Sequence, residues 1–169
     1  MRRCVVDAAP IIFLAKLGHL EFLRLNAEEV LVPTEVLKEI AAKQDEAAEE
    51  VSKRLGNWLK NCKVVRSDLM RVLTDMDEGE RAVLAQALQE GIDSVVLDDM
   101  EARRIARRLG LKPIGTVGLL IVARQRGLID SLKTELDRLK ALGFWLSEEL
   151  YREALRAVGE SDLLPKDVQ

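Results

Sequence analysis

Five carboxylates hold positions from which they could do chemistry together. Asp7 follows the apolar run Cys4-Val5-Val6, and Asp98 and Asp99 follow Val95-Val96-Leu97. Glu39 lies in the segment after Val30-Leu31-Val32-Pro33, and Glu80 opens the segment that starts at Asp77. Each has an ordinary structural use. Asp7, and Asp98 or Asp99, stand where a residue caps the helix that follows. Asp77 and Glu80 have capping-box spacing. Glu39 precedes Lys43 by the spacing of an ion pair along one helix face. Taken together, these uses leave something over. A carboxylate cluster repels itself and raises its own pKa values unless positive charge enters it, and no lysine or arginine adjoins Asp7 or Asp99 in sequence. A divalent cation with oxygen ligands, Mg²⁺ or Mn²⁺, is the natural counter-charge. A site holding one can activate water and stabilise charge building on a phosphodiester.

The elements that would position these residues alternate between strand-like and helix-like runs. Cys4–Val6, Val30–Val32, Lys63–Arg66, Ser94–Leu97 and Pro113–Ile114 read as short strands. Helices are expected from Pro10 to Leu17, where Gly18 stops the run, and from Thr34 to Lys43, with Val36, Leu37 and Ile40 on one face. One or two helical turns, His19 to Leu25, lie between them. Further helices are expected over about 46–60, from Asp77 to Gly91, after Asp99 to Leu109, from Thr116 to Arg126, and over about 131–141 and 147–158. Strands alternating with helices predict an α/β fold, a three-layer α/β/α sandwich with a central parallel sheet. In such sheets ligands bind outside the carboxyl ends of the strands. Asp7 and the Asp98-Asp99 pair would share that edge. The length of 169 residues fits one domain over 1–160, including the C-terminal helices, with a loose tail at 161–169.

Composition removes several classes. The chain is 48% apolar and 33% charged, which excludes disorder. Its net charge of −3 excludes a generally basic nucleic-acid coat. Cys4 and Cys62 offer neither a disulfide framework nor a Cys-x-x-Cys metal site. The longest apolar runs, Ala8 to Ala15 and Gly118 to Ala123, are far shorter than the roughly 20 residues of a membrane span. Asp7 and Pro10 interrupt the apolar N-terminus, so it does not read as a signal peptide, and a cytoplasmic protein with no membrane partner is expected. Arg103, Arg104, Arg107 and Arg108 form a basic stripe, with Arg103 and Arg107 on one helix face. A solvated helix exterior is the commoner use of such a stripe, and phosphate contact is the functional one. His19, the only histidine, reads as structural, and Trp58, Phe144 and Trp145 as packing residues.

Five segments, in order and spacing, resemble PIN-domain proteins, and more closely a subgroup related to VapC-type toxins. They are Val5-Val6-Asp7-Ala8-Ala9-Pro10-Ile11-Ile12, Val32-Pro33-Thr34-Glu35-Val36-Leu37-Lys38-Glu39-Ile40, Asp77-Glu78-Gly79-Glu80-Arg81-Ala82, Leu97-Asp98-Asp99-Met100-Glu101-Ala102-Arg103 and Ile114-Gly115-Thr116-Val117-Gly118. The resemblance implies a metal-dependent endoribonuclease that hydrolyses single-stranded RNA. Its acids would be Asp7, Glu39, Glu80 and Asp99, with Asp98 the near alternative to Asp99. Thr116 would support the site, and Arg103 and Arg107 would contact RNA. It further implies the toxin of a toxin–antitoxin pair, with a cognate antitoxin protein as partner; a homodimer is the default for a small protein of this kind. One departure stands out: Ala9 occupies a position where the family usually has serine or threonine. That leaves an alternative, a catalytically weak PIN-like module that binds nucleic acid or a partner. A haloacid-dehalogenase-type phosphatase would need Asp-x-Asp on the first strand, and the second of those positions is Ala9.

Overall fold

A computed structural model of the protein describes residues 1–161. The strands are β1 (Arg3–Val6), β2 (Glu29–Pro33), β3 (Leu59–Cys62), β4 (Ser94–Val96) and β5 (Lys112–Ile114). They form one sheet in the order β3-β2-β1-β4-β5, with every neighbouring pair parallel. Cys4, Val5 and Val6 are all buried, as are Val30 to Pro33. Side chains alternate between the two faces of a strand, so unbroken burial requires cover on both faces. Helices supply it, and the result is the expected three-layer α/β/α sandwich.

Among the described residues the helices are α1 (Ala8–Leu17), α2 (Thr34–Lys43), α3 (Glu46–Arg54), α4 (Ser67–Val72), α5 (Glu78–Glu90), α6 (Met100–Arg108), α7 (Thr116–Gln125), α8 (Leu132–Ala141) and α9 (Glu148–Ala157), with a 3-10 turn at Leu20–Arg24. α5 packs along β1, β2 and β4, α2 against β2 and β3, and α6 against β5. The chain moves outward from β1 through β2 to β3, then returns to the other side of β1 as β4. The order therefore reverses at the β1/β4 pair, and a crevice opens at the carboxyl ends of strands at such a reversal. The edge strands carry exposed Lys60, Asn61 and Lys112 and the proline Pro113, which blunt edge-to-edge association.

Three local expectations change. The third strand is Leu59–Cys62, not Lys63–Arg66, and α3 ends at Arg54. Gly56 has φ +88°, a conformation that favours glycine and ends helical continuation. β3 then pairs Leu59 with Val30 at the sheet edge, where Lys60 and Asn61 face solvent and leave no hydrophobic alternation to read. Val65 is exposed instead, and the Val65 and Arg66 amides donate to Gln89 Oε1 at 2.9 and 3.1 Å. Trp58 is buried as expected, but Trp145 is 79% exposed, because in the turn between α8 and α9 it is Leu146 that turns inward. His19 stacks on Phe22 with ring centres 4.5 Å apart, in keeping with a structural role.

The chain forms two compact units, Met1–Thr116 and the residues from Val117 onward. The expected tail lies, from residue 162, outside the described residues. In the second unit Leu132, Leu136, Leu139 and Leu155 are fully buried. Tyr151 donates to Asp137 Oδ1 at 2.7 Å. Glu160, 6% exposed, accepts from the Leu132 amide at 2.7 Å, the Lys133 amide at 3.1 Å, Arg124 Nε at 3.0 Å and Ser131 Oγ at 3.3 Å. A buried anion thus satisfies the open amides at the N-terminus of α8. Burial alone would raise its pKa, but the two amides, Arg124 and Ser131 outweigh that and hold the carboxyl below its ordinary range. Glu160→Ala strips partners from buried donors and is expected to cost about 3 kcal/mol. That loss would lower Tm by roughly 6–12 °C, with Glu160→Gln intermediate. Thermal melts of the three proteins check this, and an unchanged Glu160→Ala melt would show that the clamp carries no load.

Candidate acidic site

Asp7 extends β1 by one residue beyond its last strand position. Its amide donates to Val96 O at 3.0 Å, which ties it to β4. It is the N-cap of α1 by position, yet its side chain makes no capping hydrogen bond. One of the two amides a cap could use is missing, because the third helical residue is Pro10, which has no N–H to offer. The carboxyl is buried at 8% exposure. Burial pushes its pKa up to about 7; the Ala8 amide offsets part of this, and the charges of Asp77, Glu39 and Asp98 add to it.

Those charges arrive from separate elements. Glu39, exposed on α2, makes no ion pair with Lys43 among the described residues. It reaches instead toward the first turn of α5. A β-carbon on Gly79 would lie 3.1 Å from Glu39 Oε2, 3.3 Å from Asp7 Oδ1 and 3.8 Å from Asp77 Oδ1. Three carboxylates thus converge on a residue with no side chain. Asp77 caps α5, accepting from the Glu80 amide at 2.9 Å. Glu80, half-buried one turn along, has its pKa pushed up to about 7 by burial and by the charges of Asp77, Asp99 and Asp7, partly offset by the Asp77 amide. The capping box read from the sequence therefore forms, and its members also belong to the acidic crevice. Asp77 and Gly79 were missed as site residues; the visible signal was a glycine placed inside a capping box.

The two acids after β4 divide their roles. Asp98 accepts from the Thr116 amide and from Thr116 Oγ1, both at 2.7 Å. Burial still raises its pKa, with the Thr116 bonds and the Arg103 charge opposing. Thr116 is fully buried and holds Asp98 rather than standing open to a ligand. Asp99 is exposed and caps α6 through Oδ2 to the Ala102 amide at 2.8 Å, while its charge bears on Glu80. The basic stripe divides too. Arg104 is paired with Glu101. Arg103 is half-buried, its Nη1 3.3 Å from where a β-carbon on Gly115 would sit, and its charge acts on Asp98. Arg107 stays exposed one turn further along α6.

A cavity of about 390 Å³ opens beside the cluster, lined by Glu35, Lys38, Glu39, Asp77, Glu78 and Gly79. A larger one, about 540 Å³, lies at the opposite edge of the sheet. Two of its cations are paired within the fold: Arg3 donates to Glu90 O at 3.4 Å and Lys112 pairs with Asp93 at 3.4 Å. The donor set at the acidic crevice is all oxygen, which suits Mg²⁺ or Mn²⁺. The side-chain-free gap at Gly79 leaves room between Asp7 and Glu39. Among the described residues no three such side chains already close into a metal cage.

A crevice at the carboxyl edge of a parallel sheet, lined by acids from four elements, marks the candidate site of this α/β domain. Residues 3–160 match the family model of the PIN domain, and the chain belongs to the PIN-domain family. PIN domains are generally nucleases and typically bind divalent metal ions. No curated protein matches the chain. Among the described residues no helix is long and apolar enough to cross a membrane.

The raised carboxyls set a sign for the metal-free protein. Asp7 and Glu80 titrate near 7 when folded, against about 3.9 and 4.3 when unfolded. The folded state binds more protons between about pH 4 and 7, so the stability they contribute is lost as pH rises through that window. In chelator, wild type is expected to melt lower at pH 8 than at pH 5.5. Asp7→Asn should flatten that dependence and melt at least roughly 2–4 °C above wild type at pH 8. Melting curves across pH in EDTA decide it; a wild type that gains stability toward pH 8 would mean these carboxyls are solvated.

Proposed function

We propose that this PIN domain is a Mg²⁺- or Mn²⁺-dependent endoribonuclease that hydrolyses single-stranded RNA, acting as the toxin of a toxin–antitoxin pair in the cytoplasm. The observation that carries the reading is the convergence of Asp7, Glu39 and Asp77 on Gly79, with Glu80 coupled to the same charges. Asp7, Glu39, Glu80 and Asp99 would hold the cation. Asp98 would stay behind them, fixed by Thr116. When bound, a divalent ion supplies neutralisation of the carboxylates, a more acidic water and stabilisation of charge on the phosphodiester.

The chain's own groups do the rest. The Asp7 amide, donating to Val96 O, ties the Asp7 backbone to β4 and fixes where its carboxylate leaves the sheet. Arg107, exposed beside the half-buried Arg103, offers a phosphate contact that positions a strand without reading its bases. Only six aromatic residues occur, and the two tryptophans lie at Trp58, buried, and Trp145, in the second unit. Phosphate contact rather than base stacking therefore carries substrate binding. An antitoxin and a second copy of the chain are the proposed protein partners. Exposed Trp145, with Leu142 and Leu150 part-exposed near it in sequence, supports a protein-binding surface.

The second reading, a module that binds RNA but cleaves it weakly, rests on Ala9, half-buried two residues after Asp7 with no hydroxyl to offer. One experiment separates the two. A mixed-sequence single-stranded RNA is incubated with the protein in Mn²⁺, in Mg²⁺ and in EDTA, with binding followed by fluorescence anisotropy. Cleavage is expected only with metal, and Asp7→Asn or Glu39→Gln should slow it roughly 100-fold, equivalent to about 2.7 kcal/mol. Binding without cleavage in Mn²⁺ would favour the second reading, and cleavage undiminished in EDTA would overturn the first.

A further inference from the structure

Two glycines face the acidic crevice, and they differ in what a side chain would meet. At Gly115 a β-carbon would lie 2.8 Å from Asp98 Oδ1 and 3.3 Å from both Arg103 Nη1 and the Leu97 carbonyl oxygen. Asp98 is pinned by two bonds to Thr116, and a backbone carbonyl does not move aside. Gly115 is therefore a packing glycine, required for that turn to close. Gly79 is of another kind. Its φ lies outside the left-handed region, so the backbone does not demand glycine. It sits in the first turn of α5, where glycine is a poorer helix former than alanine. Its β-carbon would press most closely on Glu39 Oε2 at 3.1 Å, the far end of a flexible side chain on an exposed residue. The fold could accept alanine there by letting Glu39 swing a few tenths of an ångström away and the Asp7 carboxylate, 3.3 Å off, turn slightly. What alanine would remove is the gap between Glu39 and Asp7.

We propose that Gly79 is a positioning residue that reserves the cation's place: the missing side chain keeps the Asp7 and Glu39 carboxylates open to one another across a gap that a small cation fits and a methyl group fills. The inference rests on the cation-dependent reading above and sharpens it. It places the ion between the end of β1, α2 and the start of α5, and away from the Asp98–Thr116 pair. A methyl at 79 acts doubly, since it takes the space and also covers two carboxylate oxygens with apolar surface that a hydrated ion would otherwise meet.

The test is Mn²⁺ binding to the full chain, read by electron paramagnetic resonance titration at pH 8 together with melts in EDTA and in Mn²⁺. Wild type, Gly79→Ala, Gly79→Ser and Asp7→Asn are compared. Gly79→Ala and Gly79→Ser are expected to fold and, in EDTA, to melt within a few degrees of wild type. Both should bind Mn²⁺ at least 10-fold more weakly, with a correspondingly smaller rise in Tm on adding the ion. Gly79→Ala binding Mn²⁺ as tightly as wild type, while Asp7→Asn loses it, would overturn the role of Gly79 and leave the metal site standing. If both Gly79 variants fail to fold, Gly79 is a packing glycine like Gly115, and the proposal falls. Wild type binding no Mn²⁺ would overturn this inference and the cation-dependent function together.

Discussion

The burial of one carboxylate at the end of the central strand organises the first unit. β1 is hydrogen-bonded on both sides, to β2 and β4, and its register carries Asp7 to the point where the sheet order reverses. A carboxylate removed from water there is costly unless a counter-charge meets it. Pro10 removes one of the two amides that a helix cap could have used. The nearest charges, Asp77, Glu39 and Asp98, are all of its own sign. Folding thus concentrates negative charge at one edge, and burial together with these charges pushes the Asp7 carboxyl up to about 7.

Around that centre, local structural devices and site chemistry share the same residues. Asp77 caps α5 and also lines the crevice; Asp99 caps α6 and also bears on Glu80. Asp45, Ser131 and Ser147 likewise cap α3, α8 and α9. Sharing has a physical consequence. A cap fixes a carboxylate through one oxygen, so Asp77 and Asp99 are held in place beside acids of their own sign. The resulting preorganisation is electrostatic and is built from ordinary helix starts.

Asp98 and Arg103 show how the crevice is limited on its other side. Two short bonds from Thr116 hold Asp98 within the protein, and the Arg103 charge opposes without overcoming the rise that burial gives its pKa. The adjacent acids Asp98 and Asp99 therefore part ways, one held by Thr116 and one exposed. Gly115 allows the first and Gly79 the openness of the other acids, and both effects come from the absence of a β-carbon.

Much of this was legible before folding was considered. Alternating apolar runs and helix signals gave the parallel α/β class, because a strand buried on both faces must be apolar throughout. The positions of Asp7 and Asp98-Asp99 just after such runs placed them at one sheet edge, since parallel strands put their carboxyl ends together. Five ordered segments identified the family. The sequence could not place β3, because an edge strand with Lys60 and Asn61 facing water carries no hydrophobic period. It could not tell Asp98 from Asp99, because adjacent residues at a strand end point in different directions and only the Thr116 backbone decides which is satisfied. Nor could it show that Glu39 leaves Lys43 and turns to Gly79, a contact across 40 residues of chain that exists only once α2 and α5 are packed together. Residue types and their order along the strands determined what chemistry was available, while the packing of α2 and α5 at the carboxyl edge decided which carboxylates meet.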